Sequence, residues 1–284
     1  MLGSMDAGWD EIQAEAKWRE VGECIEGWQT AVSSERDSLP ISKKSSLWGD
    51  DLASHPYRVS TAVRMCINAA IDHLHATKVL FVDGRVVHQA ALSTLARAAL
   101  ETGATGYWLL RPGRRDDRIQ RTLQWYAQNS HDQIKATGHR GIASKSLDQL
   151  LSQVEAVAIY RGMDAAARST IRRGYRSTTA VRYAEEHLPH LPLGVDLPWQ
   201  LASGFAHGRP WASLGVQRHE VLAQDDRNME VRLTSSAARS LYPNLAATQL
   251  VSALLALHRE RAAAPFNCGG RTGCCSGPIH AGRR

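Results

Sequence analysis

The sequence predicts an all-α protein, a multi-helix bundle carrying one small β-hairpin, and three observations carry that prediction. Apolar residues recur at intervals of three and four through most of the chain, the period of a helix with one face buried. The stretch Val86 to Leu110 is apolar on every side, with Arg97 and Glu101 the only charges after Ala90, as expected for a central helix packed all round. Alternation suited to strands occurs only at Glu220 to Ala223 and Glu230 to Thr234, around a turn-like QDDRN.

Taken in order, Met5 to Val32 carries Trp18, Val21, Ile25, Trp28 and Val32 on one stripe, so residues 1–32 read as an appended amphipathic helix. Residues 33–56, rich in Ser, Asp, Lys and Pro, have no period and read as a linker. The bundle then spans 57–263. Tyr57 to Val82 forms its first helix, and Asp83-Gly84 turns the chain into the central helix, giving an antiparallel hairpin. Pro112-Gly113 ends that helix, and Asp116 to Thr137 follows, acidic at its positive end. Ser146 to Arg161, Asp164 to Arg176 and Thr179 to His187 are shorter helices, the second strongly basic. A Pro-rich loop leads to a helix capped by Asp196, on which Trp199, Ser203 and His207 share a face and Gly204 and Gly208 admit a close neighbour. A last helix starts at Ser235 or Ser236 and runs to about Ala263. The tail 264–284 is Gly- and Cys-rich and reads as disordered.

Composition narrows the classes. A chain of 284 residues can bury a core without metal or disulfide staples, so no cofactor is called for. Cys24 and Cys66 sit singly in helical patterns and the other three cysteines crowd the tail, which is no disulfide framework. The sequence shows neither a secretory leader nor a run of apolar residues long enough to span a bilayer, so a cytoplasmic protein without a membrane partner is expected. The net charge of +6 eases the approach of a polyanion without requiring one.

Candidate functional residues fall into three groups. Arg97 and Glu101, four apart, can pair, and Asp72, His75, Ser203 and His207 project from small-residue surfaces of neighbouring helices, so one interior polar network is expected. That network either fixes helix register or forms a site in which His207 acts as base beside Glu101 while Arg97 steadies an oxyanion or phosphate. A metal centre from Asp72, His75, Glu101 and His207 falls short of the ligand set a di-iron bundle uses, and no metal is expected. Arg168, Arg172, Arg173 and Arg176, around Tyr175, could grip phosphates and stack a base, or be a solvated basic turn. Cys268, Cys274, Cys275 and His280 do not have the spacing of a zinc knuckle. Trp108, Trp125, Trp199 and Trp211 lie on or beside inward stripes, as core residues or the walls of a pocket.

The segments DHLHATKVL, LARAALETGATGYWLLRPG and LASGFAHGRPW, in this order, resemble the signature of an uncharacterised helical-bundle family common in actinobacteria, over about residues 57 to 260. A terminal helix with Ser203 and His207 in an S-x-x-x-H pattern is also similar to the HEPN superfamily of small helical domains, many of them metal-independent ribonucleases. Active members place an arginine four to six residues before the histidine, whereas the six residues before His207 here are Leu201 to Ala206, preceded by Gln200, with no arginine among them. The expected function is therefore a helical-bundle interaction or regulatory protein. The alternatives are a HEPN-like ribonuclease or toxin-type effector using His207 and Arg97, and a small-molecule-binding protein. A homodimer, an RNA partner and a protein partner are all compatible with this reading.

Overall fold

The computed structural model describes residues 10–88, 90–138, 145–225 and 227–264, and these form eleven α-helices and one hairpin. In chain order the helices are α1 (Glu11–Ser33), α2 (Ser46–Ala53), α3 (Val59–Lys78), α4 (Ala91–Leu110), α5 (Arg115–Thr137) and α6 (Leu147–Tyr160). They continue as α7 (Ala165–Arg172), α8 (Ser177–His187), α9 (Asp196–Ala206), α10 (Pro210–Val216) and α11 (Ala237–Ala262). Strands β1 (Arg218–Gln224) and β2 (Met229–Thr234) pair antiparallel before α11. The fold is thus the all-α bundle with one small hairpin that the periodicity indicated.

The centre of the bundle is α4, which packs against α3, α5, α8, α9 and α11. Its sequence explains how five neighbours fit. One side is small: a Cβ at Gly106 would stand 2.7 Å from Leu254 and 3.1 Å from the Cβ of Cys66, so α11 and α3 approach closely there. The other side carries Arg97, Glu101, Thr105 and Trp108 at helical spacing and meets α9 and the turn before α8. The helix starts at Ala91, five residues later than expected. Gly84 gives its N–H to Val79 O to close a π-helical turn (Val79–Asp83), Val86 N–H reaches Leu80 O just beyond it, and two adjacent β-branched valines favour the extended chain that follows.

Two expectations need correction. Residues 11–33 are packed into the bundle and not merely appended to it: Ala14, Trp18 and Ile25 are buried, and the Trp18 indole lies tilted against Phe81, ring centroids 4.6 Å apart, while donating to Ala237 O. The stretch read as a linker holds α2, capped by Ser45, and its Asp50 is fully buried against Arg118 of α5. A helix of two turns is too short to show a period among so many polar residues. The tail beyond Ala264, with its cysteines and His280, lies outside the described residues.

Helix boundaries follow local chemistry. Asp10 and Ser146 make full capping boxes with Gln13 and Gln149, and Asp164 caps α7. Helix α9 is capped differently from the sequence reading, because Asp196 is its first residue and the Glu185 carboxylate of α8 accepts from the N–H groups of Val195 and Asp196. Gly204 does admit a close neighbour, since a Cβ there would stand 2.5 Å from that of Ala212. Gly208 has another role: its φ of +59° turns the chain out of α9 into α10, a short helix the sequence did not announce. Helix α11 is long and apolar enough to cross a membrane by length and composition, and 67% of its most apolar window is buried inside the bundle.

Candidate functional site

The Arg97–Glu101 pair forms as expected, at 3.1 Å, but with each side chain 28–29% exposed it sits at the edge of the core. Arg97 Nε donates to Ser203 Oγ at 3.2 Å, and Trp199 Nε1 donates to Glu101 Oε2 at 3.2 Å. These two crossings show α9 running antiparallel to α4, and they make a closed set in which each charged group is engaged by the others. Trp199, taken from sequence as core or pocket wall, is the fourth member.

The other three expected members are elsewhere. Asp72 is exposed, and His75 faces Glu26 of α1 at 3.5 Å. Each follows directly after a core residue of α3, Ile71 and Leu74, and one step along a helix turns a side chain about 100° away from the inward stripe. His207 is exposed beyond the last turn of α9, and its ring makes no hydrogen bond or ion pair among the described residues. The candidate catalytic trio is therefore not assembled as one hydrogen-bonded unit: Arg97 and Glu101 are joined, and His207 is apart. Among the described residues no group of three or more His, Cys, Asp or Glu side chains could hold a metal ion.

The arginine cluster divides just as clearly. Arg168 pairs with Glu155 of α6 at 3.6 Å, and Arg172 with Glu155 at 2.8 Å and with Asp148. These two fasten α7 to α6. Arg173 and Arg176 have no carboxylate partner among the described residues, and they flank a cleft of about 660 Å³ between α5 and the α7–α8 turn. Arg173 Nη2 donates to Thr170 Oγ1, which also lines the cleft. Among the described residues no carboxylate lines it.

The turn is fixed by its glycine. Gly174 has φ +74°, and a Cβ on it would stand 2.5 Å from Gln128 Oε1, so only glycine lets the turn lie against α5. Tyr175 then stacks on Trp108 of α4, with ring centroids 5.2 Å apart and planes 17° from parallel, and its hydroxyl lies 3.4 Å from Thr105 Oγ1. Burial pushes the Tyr175 phenol up to about 12, with Glu101 and Asp132 acting in the same direction, so the hydroxyl stays protonated at neutral pH. His131 Nε2 is 2.8 Å from Arg172 O; a carbonyl only accepts, so the proton is on Nε2 and Nδ1 is the other ring nitrogen in the cleft wall.

Of this cleft the sequence indicated Arg173, Arg176, Tyr175 and, as core or pocket wall, Trp108, but not Gln124, His131 or Thr170. A signal was present: Gln124, Gln128 and His131 fall at i, i+4 and i+7, a polar stripe on one face of α5. A second cationic depression of about 480 Å³, near Lys44, Trp48 and Tyr160, differs in that its arginines are engaged, Arg115 by Asp50 and Arg161 by Asp116. Comparison of the chain with family models, with curated proteins and with solved structures gives no match.

Proposed function

We propose that the protein is a non-catalytic binding protein whose cleft between α5 and the α7–α8 turn takes up a small anionic ligand. The observation that carries this reading is the pair Arg173 and Arg176, two guanidinium groups that have no carboxylate partner among the described residues, on a cleft that no acid among those residues lines. Arginine presents several N–H donors in a planar fork that matches phosphate or carboxylate oxygens, and the cleft volume lies within the roughly 300–1,000 Å³ of small-molecule sites. The set Arg97, Glu101, Ser203 and Trp199 holds α9 to α4 in this reading and does no chemistry. An interaction or regulatory role follows if ligand occupancy changes the α7–α8 turn that carries both arginines.

A thermal-shift series with inorganic phosphate, pyrophosphate and citrate tests the proposal. Ligand bound to the folded state raises the melting temperature with concentration. The rise is expected in the wild type and in His207→Ala, and is expected to vanish in Arg173→Gln/Arg176→Gln. A series in which no anion shifts the melting temperature, or in which the double variant shifts as the wild type does, overturns it.

A further inference from the structure

We infer that a second copy of this chain docks on the open edge of β2, so that two hairpins join across a two-fold axis into one four-stranded antiparallel sheet. Among the described residues the sheet has only its two strands, all seven residues of β1 are exposed, and in β2 only Val231 and Leu233 are half-buried. A two-stranded hairpin is marginal by itself, whereas three or more strands sharing an apolar face hold together. The outer edges carry backbone N–H and C=O groups that no described strand meets. The two edges are not equivalent. In β1 the register shifts between Val221 and Ala223, and a bulge of that kind twists an edge away from further pairing. In β2 every residue from Met229 to Thr234 follows in regular register except across from that bulge, so β2 is the edge left ready to pair.

That the occupant is a second copy follows from the charge pattern of β2, which complements itself. Met229, Val231 and Leu233 lie on one face of the strand and Glu230 and Arg232 on the other. A strand that pairs antiparallel with its own copy has the two-fold axis at one residue, because the backbone groups that point outward recur at every second position. An axis at Val231 pairs Met229 to Leu233 and one at Arg232 pairs Glu230 to Thr234, and any other axis pairs fewer residues of the strand. The axis at Arg232 sets two arginines directly opposite each other, a destabilising contact. The axis at Val231 sets Glu230 opposite the second copy's Arg232 at both symmetric positions, Val231 opposite Val231, and Met229 opposite Leu233. The hairpin's own pairing extends the match: Val221 already lies opposite Val231, so four valines fall in one row across the joined sheet. On the other face Arg232 lies 3.5 Å from Glu220, while Glu230 makes no ion pair among the described residues and is free to meet the second copy's Arg232. The edge of β1 has no such complement, since an axis at Val221 sets Glu220 opposite Leu222. One strand edge is a small interface, so the dimer is expected to form and dissociate with concentration.

Sedimentation velocity of the full chain over a concentration series tests this, on the wild type, Glu230→Arg, Arg232→Glu and an equimolar mixture of the two variants. The wild type is expected to pass from monomer to dimer as concentration rises. Each single change places like charges opposite each other at both symmetric positions and is expected to weaken the dimer about tenfold or more. Both side chains are exposed, so each variant is expected to keep the helical circular dichroism of the wild type. In the mixture, opposite charges face each other again at both positions, and a heterodimer of near wild-type affinity is expected. A monomer at every concentration overturns the inference, and so does a dimer that neither change weakens. Variants that remain monomeric when mixed contradict the Val231 axis and overturn it as well. Hydrogen exchange gives a readout without substitution: alternate amides of β2, those on its outer edge, are expected to slow as concentration rises, and exchange in β2 that does not depend on concentration contradicts the inference.

Discussion

Replacing Asp50 with alanine is expected to be among the most damaging single changes outside the apolar core. Asp50 is fully buried and Arg118 is 2% exposed. The guanidinium has five N–H donors, and each finds an acceptor: Asp50 Oδ2 at 2.6 Å and Oδ1 at 2.8 Å, Ser46 Oγ at 2.9 Å, Pro112 O at 2.8 Å and Gly113 O at 2.9 Å. The carboxylate also accepts from Arg115 Nε at 3.1 Å. Asp50→Ala removes the only full negative charge from this set and leaves a cation in the interior with two donors unmet. The expected cost is about 3–5 kcal/mol, a large part of the roughly 5–15 kcal/mol that stabilises a typical folded domain. Urea unfolding followed by circular dichroism measures it. In Asp50→Leu/Arg118→Met the cost is expected to be smaller than the sum of the two single changes, because neither charge is then left alone. A loss under about 1 kcal/mol in Asp50→Ala would refute the reasoning, since it would mean that Arg118 can reach water or another acceptor.

Two further predictions rest on the core. His258 of α11 is 2% exposed, and burial, with Arg64 and Arg259 adding repulsion and Asp37 opposing, takes its imidazole down from 6.5 to about 4. The unfolded chain therefore binds a proton that the folded chain refuses between these values, so stability is full above pH 6.5 and falls as the pH drops toward 4. The difference amounts to about 3 kcal/mol, which His258→Asn should largely abolish when unfolding is compared at neutral and acid pH; an unchanged pH slope in the variant contradicts it. On α4, Gly106→Ala is expected to destabilise by about 1–2 kcal/mol, because the new methyl meets Leu254 at 2.7 Å and Cys66 Cβ at 3.1 Å. Gly103→Ala, whose nearest neighbours stand at 3.4–3.5 Å, is expected to stabilise by about 0.5–1 kcal/mol through helix propensity; equal effects of the two changes in thermal unfolding would show that α4 is not held as closely as described.

The parts of the fold legible in the sequence were those set by local rules. The apolar run of α4, the cap at Ser235 or Ser236 before α11, and the paired alternation of β1 and β2 each declared an element within five residues of its bounds. What failed depended on rotational phase and on partners distant in sequence. Asp72 and His75 lie one residue off the buried stripe of α3, and His207 one residue past the end of α9, so a shared polarity did not bring them to Arg97. The buried Asp50–Arg118 pair joins α2 to α5 across 68 residues, and neither residue stands in a local pattern that marks it as interior. In the cleft, the arginines of 168–176 were visible as a run of charge. Which of them remain available was decided by Glu155 and Asp148 on α6, a matter of tertiary packing.

The claim on which the account turns is that Arg173 and Arg176 leave their cleft open to an anion. Its most direct test is a titration of isotope-labelled protein with pyrophosphate followed through backbone amide resonances. The account predicts saturable shifts gathered at Thr170, Gly174, Tyr175 and Thr179, with Lys44, Trp48 and Tyr160 of the other cationic depression unmoved. Shifts centred on that second depression, or none that saturate, would contradict it.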